Sequence, residues 1–350
     1  MKIAQIAPLF ESVPPRLYGG TERIVSYLTE ELVRQGHDVT LFASGDSRTA
    51  ARLVPCRPEA VRLDPTVRDW VPHFALMLEQ VRRRADAFDV LHFHIDFLHF
   101  PVIRPIAGRT VTTLHGRLDL PDLQPLYREF SDVPLVSISR DQRRPMPPVN
   151  WAGTVHHGLP ATLYPFYPFP EGGYLAFLGR ISPEKRPDLA IGIARRAGIR
   201  LRIAAKVDRA DEAYFRERIE PLLDDPLVEF IGEVGEAEKA PFLGNARALL
   251  FPIDWPEPFG LVMIEAMACG TPVIAFDRGS VPEIIDHGVS GWVVDDVDAA
   301  VQAVRDLGQL NRVRVRRQFE QRFTAERMAR DYLAIYDRLA GHEPRPAMVA

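Results

Sequence analysis

Short apolar runs bounded by turn residues alternate along the chain with longer stretches in which apolar side chains return every three or four positions. In the first half, Lys2–Ala7, Asp38–Ala43, Val90–Phe93, Thr110–Leu114 and Pro134–Ser139 read as strands, and Thr21–Gln35 and Pro72–Ala87 as helices. A Pro-rich irregular stretch precedes the second helix, Arg143–Ala152 is rich in Pro and basic residues, and Pro160–Gly173 is Pro-rich again. The pattern then restarts at Tyr174–Gly179 and continues through strands at Leu201–Lys206, Val228–Ile231, Ala248–Phe251, Val273–Phe276 and Trp292–Val294, with helices between. Runs as uniformly apolar as Ala248–Phe251 indicate parallel strands buried on both faces, so two successive series predict two doubly wound α/β halves rather than one long sheet. The expected domains are 1–155 and 156–322. Over 323–341, Met328, Tyr332, Ile335, Tyr336 and Leu339 recur at helical spacing and predict a last helix that crosses back to the first domain, with a frayed tail after Gly341.

Composition narrows the function classes. With 350 residues, 46% apolar and 26% charged, the chain is long enough for two domains, and a net charge of −4 lacks the basic excess a general nucleic-acid surface needs. Cys56 and Cys269 are the only cysteines and neither belongs to a CxxC pair, which argues against a disulfide framework or structural zinc and fits a reducing cytoplasm. No apolar run approaches the ~20 residues of a membrane span, although peripheral contact with a membrane surface stays open.

The stretch Pro252–Pro272 carries the strongest chemical signal. Pro258 biases Glu257 away from helical backbone, leaving Glu257 on a loop beside the amides of Phe259, Gly260 and Leu261 at the start of a helix. Glu265 falls within that helix, roughly 10 Å from Glu257 at a rise of about 1.5 Å per residue, which is the reach of a nucleotide sugar. A surface acid is the plainer reading of Glu257. It fits Glu265 less well, because Leu261, Val262, Ile264, Ala266, Met267 and Ala268 make the helix apolar nearly all round, and a carboxylate there needs donors that ligand hydroxyls would supply.

Other groups cluster where strands end. Gly19-Gly20, with Thr21 as the expected N-cap, allows close backbone approach to an anion at a helix N-terminus, or simply a tight turn. Arg180 and Lys185 follow the first strand of the second half, at the edge where open α/β sheets bind ligands, and are placed either for a diphosphate or as a solvated basic loop. His92, His94 and Asp96 alternate along one face of a strand; a metal site would need further ligands, with His115 the obvious candidate, and polar lining of a cleft is the competing reading. His115 ends another strand of the same domain. Ser139 lacks the GxSxG setting of a nucleophile, and Asp296-Val297-Asp298 reads as an ordinary helix start rather than a metal-binding pair.

Taken together, Glu257-x7-Glu265 with its Pro-Phe-Gly-Leu interior, Ala268–Ile274, Leu178-Gly179-Arg180 with Lys185, and the early Gly19-Gly20 resemble glycosyltransferase family 4, over almost the whole chain. The resemblance implies the GT-B fold, two Rossmann-like domains facing across a cleft, and a retaining, metal-independent transfer of a hexose from a nucleoside-diphosphate sugar, with a UDP-glucose-like donor favoured and no cofactor. It assigns Arg180, Lys185 and the Gly19-Gly20 loop to the diphosphate, Glu265 to the ribose, and Glu257 with the Phe259 and Gly260 amides, followed by Leu261, to the transferred sugar. His115 would reach that sugar from the acceptor domain, and Gly232-Glu233-Val234 would take the base. The family's interdomain strand usually ends in Asn-Gly, whereas this chain has His156-His157-Gly158. The opening residues, including Tyr18-Gly19-Gly20 and Leu41–Ser47, resemble a subgroup that includes pteridine glucosyltransferases and antibiotic-tailoring enzymes, which favours a small soluble acceptor over a lipid among the small-molecule, glycan and lipid-linked acceptors left open. Alternatives are a GT-B-type sugar-nucleotide epimerase and a catalytically silent sugar-nucleotide-binding subunit.

Overall fold

The computed structural model describes residues 1–16 and 19–341; Tyr18 and the tail beyond Gly341 lie outside them. The chain divides into one unit of Met1–Gly158 joined by the residues from Ala325 onward, and a second of Leu159–Thr324.

In the first unit β1 (Lys2–Ile6), α1 (Gly20–Arg34), β2 (Asp38–Ser44), β3 (Arg52–Arg57), α2 (Val71–Arg84), β4 (Val90–Phe93), α3 (Phe100–Ile103), β5 (Thr110–Thr113), α4 (Leu123–Glu129), β6 (Leu135–Ser137) and β7 (Trp151–Thr154) follow one another. The seven strands lie in the order β3-β2-β1-β4-β5-β6-β7, and every neighbouring pair is parallel. Strands β3 and β7 escape the periodicity reading. Both are sheet edges, where Pro55 is tolerated and the apolar pattern is relaxed because one side is not paired.

The second unit runs β8 (Leu175–Arg180), α5 (Pro187–Ala197), β9 (Leu201–Lys206), the single turn α6 (Glu212–Tyr214), β10 (Val228–Gly232), α7 (Glu236–Gly244), β11 (Ala248–Phe251), α8 (Leu261–Ala268), β12 (Val273–Phe276), α9 (Val281–Ile284), β13 (Gly291–Val294), α10 (Val297–Arg305) and α11 (Arg312–Arg322). Its six strands are again all parallel, in the order β10-β9-β8-β11-β12-β13. Each sheet therefore reverses its winding once, between β1 and β4 in the first and between β8 and β11 in the second. Such a switch point leaves a crevice at the carboxyl ends of the two central strands. Each sheet has its own apolar core, with Ile6, Phe42, Leu91 and Phe93 in one and Phe177, Ile203, Leu250 and Ile274 in the other. Cys56 and Cys269 are buried free thiols, one in each unit.

The last helix, α12 (Ala325–Leu339), belongs to the first unit and packs on α1. Met328, Tyr332, Ile335 and Tyr336 are buried, and the two tyrosines cover polar side chains of the sheet instead of apolar ones. His92 Nδ1 lies 2.6 Å from the Tyr336 hydroxyl and His92 Nε2 lies 2.7 Å from Thr113 Oγ1, which is 2.9 Å from the Tyr332 hydroxyl. Burial lowers the pKa values of His92, His94, His99 and His157 well below the ordinary value of 6.5 and brings partly covered His115 down to about 3.

Neutral buried imidazoles make stability depend on pH with a definite sign. The unfolded chain takes up protons on these residues near 6.5 and the folded chain does not, so the unfolding free energy falls as pH drops below about 6.5. Denaturant midpoints taken in steps from neutral to acid pH should decline through that window. A flat profile would contradict neutral burial.

Candidate active site

The crevice edge of the second sheet gathers the charged motifs because β8 and β11 are neighbours. Arg180 is the last residue of β8, Lys185 ends the short turn Pro183–Lys185 after it, and Asp254 to Gly260 leave the carboxyl end of β11. The two loops are tied by the Asp254 amide donating to Glu184 O at 2.9 Å. Glu257, buried, accepts from Lys185 Nζ and from Trp255 Nε1 at 3.0 Å, and the Lys185 ammonium lies 5.1 Å from the Trp255 ring centre and 5.6 Å from that of Phe251.

The Glu257 loop is braced by a segment that periodicity did not single out. The Ser280 amide donates to Glu257 O at 2.9 Å and the Ser280 hydroxyl to Phe259 O at 2.8 Å. Gly279 has φ 57, and a Cβ there would lie 2.3 Å from the Glu257 amide nitrogen, so no other residue fits that close approach. Gly260 holds φ 78 at the N-terminus of α8, which begins at Leu261 as expected, and buried Phe259 packs edge-on to Phe323 with ring centres 6.3 Å apart.

Glu265 is 4% exposed inside α8, and protein groups reach it. Lys239 Nζ on α7 donates to it at 2.9 Å and the Tyr164 hydroxyl at 3.3 Å. The Tyr164 hydroxyl also bonds Glu236, so Glu265 is one member of a buried charged cluster. Arg180 is paired as well, 3.2 Å from Glu184 and 3.6 Å from Asp208, so the cations assigned to a diphosphate are offset by carboxylates in this structure. Val234 is half-buried on the loop between Gly232, whose φ is 74, and Gly235, which caps α7.

In the first unit, α1 starts at Gly20 with Gly19 as its N-cap residue, one residue earlier than expected, so Thr21 is already inside the first turn and caps nothing. A Cβ on Gly19 would approach Pro15 Cβ to 2.8 Å and Glu22 Oε2 to 3.1 Å. Glu22, in that first turn, is 5% exposed and burial pushes its carboxyl up to about 7, against the lowering influence of Arg62; Glu11, which faces it, bonds Arg62 at 2.9 Å. His94 and Asp96 lie beyond the end of β4; His92 and His94 keep their ring centres 4.0 Å apart, whereas Asp96, with φ 53, turns out to solvent and leaves that face. Both ring nitrogens of His92 and of His94 are within hydrogen-bond distance of protein partners, and among the described residues no group of three or more His, Cys, Asp or Glu is arranged to hold a metal ion. Gln142 fixes the loop of His115, its Nε2 donating to Leu114 O at 2.9 Å and Gly116 O at 2.8 Å. Ser139 Oγ accepts from the Gln142 amide at 3.1 Å, a turn contact.

The model of the family described as Glycosyltransferase Family 4 matches residues 18–151, and that described as Glycosyl transferases group 1 matches residues 168–322. Between them they span most of the chain. The chain belongs to glycosyltransferase family 4. Its relatives include a D-inositol 3-phosphate glycosyltransferase of Mycobacterium marinum, 34% identical over 156 residues, covering 41% of this chain and 32% of that protein. A phosphatidyl-myo-inositol mannosyltransferase of Mycolicibacterium smegmatis is 27% identical over 343 residues, covering 87% of this chain and 84% of that protein. The chain thus spans about a third of the length of the first curated relative but most of the second. Among solved structures, AviGT4, a glycosyltransferase involved in avilamycin A biosynthesis, shares 26% identity at a TM-score of 0.77, covering 98% of this chain and 99% of that one. The two parallel sheets are those of the GT-B fold.

The family 4 chain departs from the usual Asn-Gly at His157, which is buried and stacked on His115 with ring centres 5.3 Å apart and planes at 16°. Arg327 of α12 donates to His156 O at 2.7 Å and His157 O at 2.9 Å, pinning this turn. Lys239, Tyr164 and the Gly279-Ser280 brace were missed in the sequence because each is remote along the chain from what it touches. The single available signal was a Gly-Ser pair just past the strand Val273–Phe276.

Two outcomes test this geometry. Lys239→Met should destabilise the protein by about 3–5 kcal/mol, since it leaves the Glu265 carboxylate buried without its cation, whereas Glu265→Gln should cost less. Glu22→Gln should steepen the decline of stability toward acid pH, because Glu22 opposes the histidine trend in that window. The folded-state value near 7 lies above the unfolded 4.5, so its contribution is complete below 4.5 and is lost as pH rises through 7, an effect of order 3 kcal/mol in the wild-type minus variant difference.

Proposed function

We propose that the protein is a retaining, metal-independent hexosyltransferase that moves a hexose from a nucleoside-diphosphate sugar, a UDP-hexose first among donors, to a hydroxyl of a small acceptor. The observation that carries the reading is the pair of buried carboxylates, Glu257 and Glu265, each held by a lysine at the switch point of the second sheet. Nucleotide-sugar hydroxyls replace part of that pairing when donor binds: Glu265 takes the ribose, and Glu257 with the Phe259 and Gly260 amides takes the transferred sugar. Lys185, released toward the phosphates, and Arg180 offset the charge of the departing diphosphate. The amides at Gly19 and Gly20 add donors at a helix N-terminus, and His115 bonds a sugar hydroxyl. The glycosidic bond to the diphosphate breaks as the acceptor oxygen bonds the same face of the sugar, and the acceptor proton passes to the departing phosphate oxygen. The avilamycin relative, matched over nearly its full length, supports a small acceptor.

Metal independence is supported by what occupies the one Asp-x-Asp pair. Asp296 caps α10 by accepting from the Ala299 amide at 2.8 Å, and Asp298 pairs with Arg196. Activity should therefore survive excess EDTA, while Arg180→Ala or Lys185→Ala should lose at least ~100-fold in turnover. Loss of activity on chelation, restored by Mg²⁺ or Mn²⁺, would refute the reading.

Donor identity comes from thermal shift against a panel of nucleotide sugars, since ligand at 100 times its dissociation constant adds about 2.7 kcal/mol. With the matching nucleoside diphosphate in a calorimeter, Glu265→Gln should weaken binding, whereas Glu257→Gln should bind normally and turn over slowly. Equal loss of diphosphate affinity in both variants would undo the division of roles, and nucleotide release that ignores added acceptor would favour an epimerase.

A further inference from the structure

Five polar side chains of the first sheet form a strip that core packing does not require. Gln5 on β1 pairs in register with His92 on β4, and β4 pairs with β5, which ends at Thr113; His94 and His115 follow those last two strands. The strand period of two keeps His92 with His94 and Thr113 with His115, and Tyr332 and Tyr336, one turn apart on α12, lie over them. The contacts form one unbranched chain: His115 Nε2 to His94 Nδ1 at 2.9 Å, His94 Nε2 to Gln5 Oε1 at 2.8 Å, Gln5 Nε2 to the Tyr336 hydroxyl at 3.1 Å, that hydroxyl to His92 Nδ1 at 2.6 Å, and His92 Nε2 to Thr113 Oγ1 at 2.7 Å.

The direction of the bonds from His115 to Tyr336 follows from what each atom can do. An amide oxygen only accepts, so His94 Nε2 carries the proton that Gln5 Oε1 receives. Buried His94 is neutral, which leaves its Nδ1 bare, so the donor to it is His115 Nε2–H. Neutral His115 then has a bare Nδ1. On the other side the Gln5 amide nitrogen donates to the Tyr336 hydroxyl, so the donors from His115 through His94 and Gln5 to Tyr336 all point away from His115 and reinforce one another.

We propose that Gln5 is a positioning residue: held by Tyr336 of the C-terminal helix, its amide orients His94 and so fixes His115 as the Nε2–H tautomer, leaving Nδ1 to accept a hydrogen bond from a hydroxyl of the transferred sugar. This rests on the assignment of His115 to that sugar. Turning the Gln5 amide by half a rotation would reverse the His115 arm and convert the acceptor nitrogen into a donor.

Long-range ¹H–¹⁵N correlation spectra of the full chain labelled at histidine read the tautomer directly. Wild type should show His115 as a single Nε2–H species. Gln5→Met, which breaks the relay, and Tyr336→Phe, which keeps the ring but frees the amide, should both turn it into a mixture; if Gln5→Met does not fold, Tyr336→Phe alone decides. Both variants should lose on the order of tenfold in turnover with affinity for the bare nucleoside diphosphate unchanged. An Nδ1–H species or a mixture in wild type, an unaltered tautomer in the variants, or a parallel loss of diphosphate affinity would overturn the proposal. The spectra need no substrate, so a wrong tautomer defeats the relay alone, whereas the right tautomer with no transfer from any nucleotide sugar defeats the transferase reading alone.

Discussion

A parallel sheet sandwiched between helices has apolar side chains on both faces and can expose chemistry only at the ends of its strands. In this protein that constraint decides where nearly every charged group of interest lies. Because β8 and β11 are adjacent while their helices leave in opposite senses, the loops after them open at one point, and Arg180, Lys185 and Glu257 meet there although far apart in the chain. In the first sheet the histidines that follow β4 and β5 likewise lie at strand carboxyl ends next to the reversal between β1 and β4.

Burial of acids is the second theme, and it follows from the first. Groups drawn into the crevice edges leave water, and a carboxylate there is stable only with donors or with a proton. Glu265 and Glu257 take the first route through Lys239 and Lys185. Glu22 takes the second, its pKa pushed up to about 7. The second unit is thus charged and paired before any ligand arrives, and a nucleotide sugar would exchange one set of partners for another without creating charge in an empty site.

The strip under α12 is an exception to the rule that sheet faces are apolar. Tyr336 and Tyr332 bring hydroxyls to a face carrying Gln5, His92 and Thr113, and desolvation keeps the imidazoles neutral so that each can donate from one nitrogen and accept at the other. An apolar helix face at the same place would leave those groups unpaired, which is a physical reason for tyrosine at two positions one turn apart.

Periodicity alone determined the element types, the two parallel halves and the terminal helix, since each depends on whether neighbouring residues along the chain are apolar. The Pro258 and Gly260 chemistry likewise put Glu257 on a loop and Glu265 inside a helix, because backbone preferences are local. Edge strands β3 and β7 were illegible for the complementary reason: a strand with one unpaired side needs no strong apolar pattern. Tertiary structure decided the partners. Lys239 for Glu265, Ser280 for the Glu257 loop, and Gln5 and Tyr336 for the histidines lie dozens to hundreds of residues from, or on a different element than, the groups they serve. No local pattern encodes which donor a buried acceptor will meet; that is set by strand order and helix docking, the non-local outcome of burying two apolar cores.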